Sequence, residues 1–237
     1  MSGARFTTLL LDLDGTLLDV EMRPFLAAFF PLAAARFGPP EQTLRITQAL
    51  GEAARAMMAA SGGERTVDLV FLETFAGAVG STPAAVRSAF AAFYREEFEQ
   101  LHRLVRPIPA ARAFVDEALG RGCELVLATN PVFFLEPIRA RLRWAGLADV
   151  PFALVTSAEL MFWTKPHAGY YRQILAMTGR RQEQCLMVGD DPRMDMAAKE
   201  AGIATWLVEG PDGEPREAPL ADLRGTLEHL AAWLRQG

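Results

Sequence analysis

Lysine and asparagine are almost missing from this 237-residue chain. Of its 24 basic residues only Lys165 and Lys199 are lysine, so 24 − 2 leaves 22 arginines, and Asn130 is the sole asparagine. Cysteine is scarce too. Cys123 and Cys185 lie far apart, in no Cys-x-x-Cys or Cys/His cluster, and read as buried thiols of a reducing compartment, not as a disulfide. No basic block offsets the 29 acidic residues, and the net charge of -5 argues against a nucleic-acid binder, which must neutralise phosphates. An acidic substrate stays compatible, because a site needs only local positive charge. No apolar run reaches the roughly 18 residues that a membrane span needs. The nearest, Phe25 to Ala35, is interrupted by Pro31. Arg5 followed by Leu9-Leu10-Leu11 imitates a signal peptide, but Asp12 and Asp14 break the apolar region and no small-residue cleavage site follows. The expectation is a cytoplasmic protein with neither a membrane nor a nucleic-acid partner.

What is present describes a folded α/β protein. A hydrophobic fraction of 51% with 22% charged residues is too apolar for a disordered chain, and the length suits one large domain or two modest ones. Phe6 to Leu11 reads as a buried strand that stops at Asp12-Leu13-Asp14-Gly15. Residues 19–107 change character: Ala, Leu, Phe, Met, Arg and Glu recur at helical spacing, punctuated by Gly38-Pro39-Pro40, Ser61-Gly62-Gly63 and Gly80-Ser81-Thr82-Pro83. That predicts about four helices, one of them capped by Ser81 or Thr82 ahead of Pro83.

After Pro107 helices and strands alternate. Helices are predicted over Ala110–Leu119, Phe134–Trp144, Gly169–Met177 and Met194–Ala201, and strands over Glu124–Ala128, Phe152–Val155, Cys185–Val188 and Ile203–Val208. A turn-rich loop over Gly210–Pro219 precedes a terminal amphipathic helix over Leu220–Leu234. Such alternation specifies a three-layer, Rossmann-like parallel sheet. The first strand has no crossover helix of its own before the helical stretch. The expected organisation is an α/β core from residues 1–18 and 108–237, interrupted by an all-helical cap, 19–107, with a hinge near Leu18 and Pro107.

Each polar cluster of interest follows a strand: Asp12 and Asp14, Thr129 and Asn130, Lys165 a loop later, and Asp190, Asp191 and Asp195. Open parallel sheets bind ligands at the carboxyl ends of their strands. Carboxylates gathered there repel one another unless a cation joins them. Hard oxygen ligands that leave room for water and phosphate suit Mg²⁺, and a lysine suits the charge of a transferring phosphoryl group. No HExxH, GxSxG, P-loop or GxGxxG is present. His102, His167 and His229 are scattered and read as surface or packing residues, His167 being the nearest to the site mouth.

In this order the clusters resemble the four motifs of the haloacid dehalogenase (HAD) superfamily. Asp12-Leu13-Asp14-Gly15-Thr16-Leu17 is similar to the first, Thr129 to the second, Lys165 to the third, and Gly189-Asp190-Asp191-Pro192-Arg193-Met194-Asp195 to the fourth. The helical insert sits where that family carries a C1 cap. The resemblance implies a phosphatase with Asp12 as nucleophile, Asp14 as general acid and base, and Thr129, Asn130 and Lys165 on the phosphate. Mg²⁺ would be held by Asp12, the carbonyl of Asp14 and Asp190, with Asp191 as a substitute ligand and Asp195 in support. Asp14 sets the chain apart from halide-displacing members, and the absence of lysine from residues 19–107 sets it apart from phosphonate-cleaving ones. The expected substrate is a small phosphorylated metabolite. A phosphomutase and a non-catalytic Mg²⁺/phosphate-binding partner protein are the alternatives. Thr164 departs from the glycine common before the motif lysine. Of Glu21, Arg23, Phe25 and Arg65, Arg23 is the expected specificity residue, because it opens the cap beside the first motif.

Overall fold

A computed structural model of the chain describes residues 6–209 and 217–236. Its central sheet begins with β1 (Thr8–Leu11), whose four residues are all buried, as a strand covered on both faces requires. Parallel partners flank it: β4 (Glu124–Leu127), β5 (Leu154–Val155), β6 (Cys185–Gly189), β7 (Ala204–Val208) and β8 (Leu223–Gly225), in spatial order β5-β4-β1-β6-β7-β8. Register places Leu11 between Leu127 and Val188, so β4 ends level with β1 and β6 runs one residue further. Crossovers come from α5 (Pro109–Gly120), α6 (Leu135–Trp144) and α7 (Ala168–Thr178), with a 3-10 stretch at Met196–Ala201 and a final α8 (Leu227–Arg235).

Between the first strand and α5 the chain forms two short strands, four α-helices and two 3-10 helices. β2 (Leu18–Val20) pairs antiparallel with β3 (Val105–Pro107), Leu18 facing Pro107. Between them lie α1 (Met22–Ala34), α2 (Thr43–Met58), α3 (Val67–Val79) and α4 (Pro83–Glu96). Thr82 caps α4, its hydroxyl accepting the N–H of Ala85 at 3.2 Å ahead of Pro83. A net of aromatic rings holds this insert together. Phe29, for instance, meets Phe93 and Phe133 edge-on at 5.5 and 5.8 Å between centroids. Backbone bonds tie the insert down as well: Val67 N–H to Met161 O at 2.8 Å, and Asp68 N–H to Ala158 O at 2.9 Å.

The strands β2 and β3 stand where an all-helical segment was expected, and two predicted helices also differ from expectation. Residues 220–234 do not form one helix: β8 occupies Leu223–Gly225, and α8 starts only after Thr226, which caps it reciprocally with His229. The segment expected as a helix from Met194 closes i→i+3 bonds instead, Ala198 N–H to Asp195 O and Gly202 N–H to Lys199 O. The loop expected over Gly210–Pro219 lies largely outside the described residues. Both cysteines are free and buried. Among the described residues no single helix is long and apolar enough to cross a membrane.

Candidate active site

β1 ends at Leu11 and hands the chain to Asp12, whose N–H bonds Val188 O of β6 at 2.9 Å. The chain then turns sharply, the N–H groups of Leu17 and Leu18 both closing on Leu13 O at 2.9 Å. Gly15 sits in that turn at φ +87°, and a Cβ there would lie 2.5 Å from the Asp190 carboxylate. Glycine is needed twice over, for the dihedral and for the approach of Asp190.

Lys165 is the electrostatic centre. Its side chain is 1% exposed, and Nζ donates to Asp12 Oδ1 at 2.7 Å and to Asp195 Oδ1 at 2.5 Å. Asp12, Asp190 and Asp195 bring carboxylate oxygens within 4.8 Å of one another. Burial, opposed by Lys165 and helped by the Asp190 and Asp14 charges, pushes the Asp12 carboxyl up to about 6. Burial likewise pushes Asp195 up to about 7, again opposed by Lys165. For Lys165 burial works against the ammonium, yet Asp12 and Asp195 outweigh it and hold its pKa well above the usual lysine value. Three carboxylates this close could hold a metal ion, and their all-oxygen donor set fits Mg²⁺.

The remaining expected residues lie close by, with distinct partners. Thr129 is buried, and its carbonyl accepts Thr156 Oγ1 at 2.7 Å and the Tyr170 hydroxyl at 2.8 Å. Asn130 Oδ1 accepts the backbone N–H of Lys165 at 3.2 Å, while its amide nitrogen points to Met58 Sδ at 3.4 Å. This asparagine therefore braces the lysine loop and reaches the insert. Thr164 does the same, its hydroxyl donating to Met58 O at 3.0 Å. Asp191 is exposed, and its Oδ1 accepts the N–H groups of Arg193 and Met194 at 2.8 and 2.9 Å, so one of its oxygens is spent on the turn. Asp190 accepts the Thr16 hydroxyl at 3.4 Å and belongs to the three-carboxylate group.

Arg141 is the residue that sequence reading missed. It lies on α6, fully buried, and ion-pairs with Asp14 while stacking 4.3 Å from the Phe133 ring centroid. Asp14 Oδ1 and Arg141 Nη2 remain without hydrogen-bond partners. Helical phase carried the signal: Arg141 shares the face of Ile138 and Leu142, whereas Arg139 and Arg143 face solvent. A polar residue on an apolar face was the clue, hidden by the abundance of arginine.

Asp12, Asp14, Thr129, Asn130, Lys165, Asp190, Asp191 and Asp195 form the floor of a cavity of about 530 Å³. Its walls are Met22, Leu26, Phe29 and Phe30 of α1 with Met57, Met58 and Tyr94 of the insert, and Phe133 and Phe134 across from them. Arg23 stands outside: it is exposed and absent from the lining, because one residue along a helix turns the side chain about 100° from the inward face that Met22 occupies. Glu21 and Arg65 are exposed too, Arg65 pairing with Glu73 at 2.7 Å, and Phe25 packs behind the wall against Phe98 and Phe133. None of the three histidines lines the cavity; His102 stacks on Trp144 and His229 caps α8.

The family model for haloacid dehalogenase-like hydrolases matches residues 6–229. Among curated proteins, the phosphoserine phosphatase of Thermus thermophilus is 37% identical over 147 residues, which cover 61% of this chain and 55% of that protein. The N-acetylmuramic acid 6-phosphate phosphatase of Pseudomonas aeruginosa is 29% identical over 92% of this chain and 88% of its own. Among solved structures, a HAD phosphatase from Thermococcus onnurineus superposes with a TM-score of 0.65 at 18% identity, covering 98% of this chain and 99% of that one. An L-2-haloacid dehalogenase from Xanthobacter autotrophicus reaches 0.57, also at 18% identity, over 97% and 98%. At that identity the structures speak for the fold alone. The match over nearly the whole chain settles the family: this chain belongs to the haloacid dehalogenase-like hydrolases.

Proposed function

We propose that this haloacid dehalogenase-like hydrolase is a Mg²⁺-dependent phosphomonoester hydrolase that works on a small phosphorylated metabolite through an aspartyl-phosphate. The observation that carries the reading is Lys165, buried between Asp12 and Asp195 beside Asp190 at the floor of the cavity. An ammonium held among carboxylates is a poor structural choice for stability alone, since desolvating such charges costs more than most packing returns. It is well suited to a phosphoryl group, whose negative oxygens need a fixed counter-charge. The relatives named for phosphoserine and N-acetylmuramic acid 6-phosphate support the same reaction class.

In this mechanism Asp12 attacks phosphorus with its carboxylate oxygen, and the P–O bond to the alcohol breaks. Asp14 gives its proton to the departing oxygen. Asp14 then takes a proton from water, whose oxygen attacks the phosphorus of the aspartyl-phosphate; inorganic phosphate leaves and Asp12 is restored. Thr129 and Lys165 hold the phosphoryl oxygens, and Arg141 keeps Asp14 in place. Asp12 and Asp190, with Asp195 in support, would hold Mg²⁺, which when bound adds positive charge at the phosphoryl oxygens. The helical segment 19–107 acts as a cap over a core of residues 1–18 and 108–237.

The test is hydrolysis of p-nitrophenyl phosphate with and without EDTA, and by Asp12→Asn. The expected result is release of inorganic phosphate that stops on chelation and in the variant. Activity indifferent to chelation, or retained in Asp12→Asn, overturns the mechanism. Return of the phosphoryl group to a sugar would mark a phosphomutase instead.

A further inference from the structure

The cavity over Asp12 has two unlike halves. Its floor is charged. Its walls are not: Met22, Leu26 and Phe30 of α1, Met57 and Met58 of α2, and the ring of Tyr94 on α4 carry a single hydroxyl between them. Among the described residues one cation lines the cavity, Lys165, and its ammonium already serves Asp12 and Asp195. Arg141 is bound to Asp14 behind Phe133, and Arg23 faces away. Asn130, the amide nearest the phosphate end, is spent on the Lys165 backbone and Met58.

Those walls leave nothing to meet a second charge on the substrate. A carboxylate placed there would be desolvated without a partner, and sugar hydroxyls would lose their water with one phenol to share. Apolar carbon gains by the same burial. Four methionines, Met22, Met57, Met58 and Met194, line the space, and unbranched thioethers adapt to irregular or branched shapes. The volume of about 530 Å³ falls within the range of small-molecule sites.

We infer that the natural substrate is the phosphate monoester of an apolar alcohol, aryl, branched-alkyl or prenyl, with no carboxylate and few hydroxyls. This rests on the phosphomonoester hydrolase reading above and narrows it. The reaction that supplies the substrate is then phosphorylation of such an alcohol or removal of one phosphate from its diphosphate.

The test compares kcat/KM of the wild-type protein with Mg²⁺ on n-alkyl phosphates from ethyl to octyl, whose alcohols differ little in acidity, and on phosphoglycolate and O-phosphoserine. Each methylene that enters the cavity should raise kcat/KM about fourfold until the space is full. The two carboxylate-bearing esters should fall at least about tenfold below propyl phosphate. A flat alkyl series, or a preference for phosphoglycolate or phosphoserine, overturns the inference. No hydrolysis of any ester, p-nitrophenyl phosphate included, overturns the hydrolase reading itself. Leu26→Lys adds a cation to the wall. In the folded variant, checked by circular dichroism, the ratio of propyl phosphate to phosphoglycolate turnover should drop tenfold or more. An unchanged ratio counts against the inference, and the alkyl series decides the matter independently of that variant.

Discussion

Replacing Lys165 by methionine keeps the length of the side chain and deletes its charge, which isolates the electrostatic part of its role. The wild-type ammonium is 1% exposed, 2.7 Å from Asp12 and 2.5 Å from Asp195. Without it, Asp12 and Asp195 lose the ammonium that each bonds, while their oxygens stay within 4.8 Å of one another and of Asp190. Removing one partner of a buried ion pair costs about 3–5 kcal/mol. At about 2–4 °C per kcal/mol for a chain of this size, the melting temperature in EDTA near pH 8 should fall by about 6–20 °C. The loss must also depend on pH. Burial already raises Asp12 to about 6 and Asp195 to about 7 while Lys165 pulls both down, so its removal lifts them further. A carboxyl whose folded pKa lies above its unfolded value favours the folded state fully below the unfolded value, and loses that advantage as pH rises through the folded one. Near pH 5 the variant escapes most of the penalty by holding protons; near pH 8 it cannot. Calorimetric melts across that range measure both effects. Turnover should fall about 10²- to 10³-fold, the usual loss on removing one fixed electrostatic contact from a transition state. A melting curve that superimposes on wild type near pH 8, or a loss equal at both ends of the range, would refute the reasoning. Lys165→Arg, the change this arginine-rich chain would otherwise favour, should cripple turnover as well. A planar fork does not replace a point charge in a space without room, and overpacking costs about 1–3 kcal/mol; near-normal activity would refute that.

Arg141→Met should slow an alkyl phosphate far more than p-nitrophenyl phosphate, because only the poorer leaving group depends strongly on the proton from Asp14; equal losses on both esters would mean that Arg141 does not position Asp14. Gly15→Ala puts a Cβ 2.5 Å from the Asp190 carboxylate at a φ of +87°, so Mg²⁺ titrations of activity should show a half-saturation raised at least severalfold. An unchanged half-saturation would separate Asp190 from the metal. Protons compete with the cation for Asp12 and Asp195 below their raised pKa values of about 6 and 7, so Mg²⁺ affinity should strengthen as pH climbs from about 5 to 8. Titration calorimetry showing constant affinity across that range would contradict this.

The parallel sheet was legible because its strands are continuous apolar runs that stop abruptly at a polar residue. Leu9-Leu10-Leu11 before Asp12, and Leu186-Met187-Val188 before Gly189-Asp190, mark both a strand and its carboxyl end. The short strands β2 and β3 escaped notice, as three-residue pairs carry no periodicity. β8 was lost inside a helical pattern, because three residues with one turn signal cannot outvote the amphipathic stretch of α8 that follows. At the site, Arg23 and Met22 are adjacent in sequence and nearly a third of a turn apart in space, and only the docking of α1 decided which of them meets the cavity. Asn130 was legible as a residue of the second motif, but its bonds to Lys165 and Met58 join segments 35 and 72 residues away.

What the sequence by itself determined is the inventory and order of the chemistry: carboxylates, hydroxyl, amide and ammonium, each placed where an apolar strand ends. Strand burial is a local property, so the points at which the chain leaves the sheet can be read one segment at a time. The tertiary structure decided what each group faces. It set Lys165 between two carboxylates from distant segments, brought Arg141 to Asp14 across 127 positions, and lined the site with thioether and aromatic walls. Those outcomes depend on helix rotation and on contacts between segments far apart in the chain, and no local pattern encodes either.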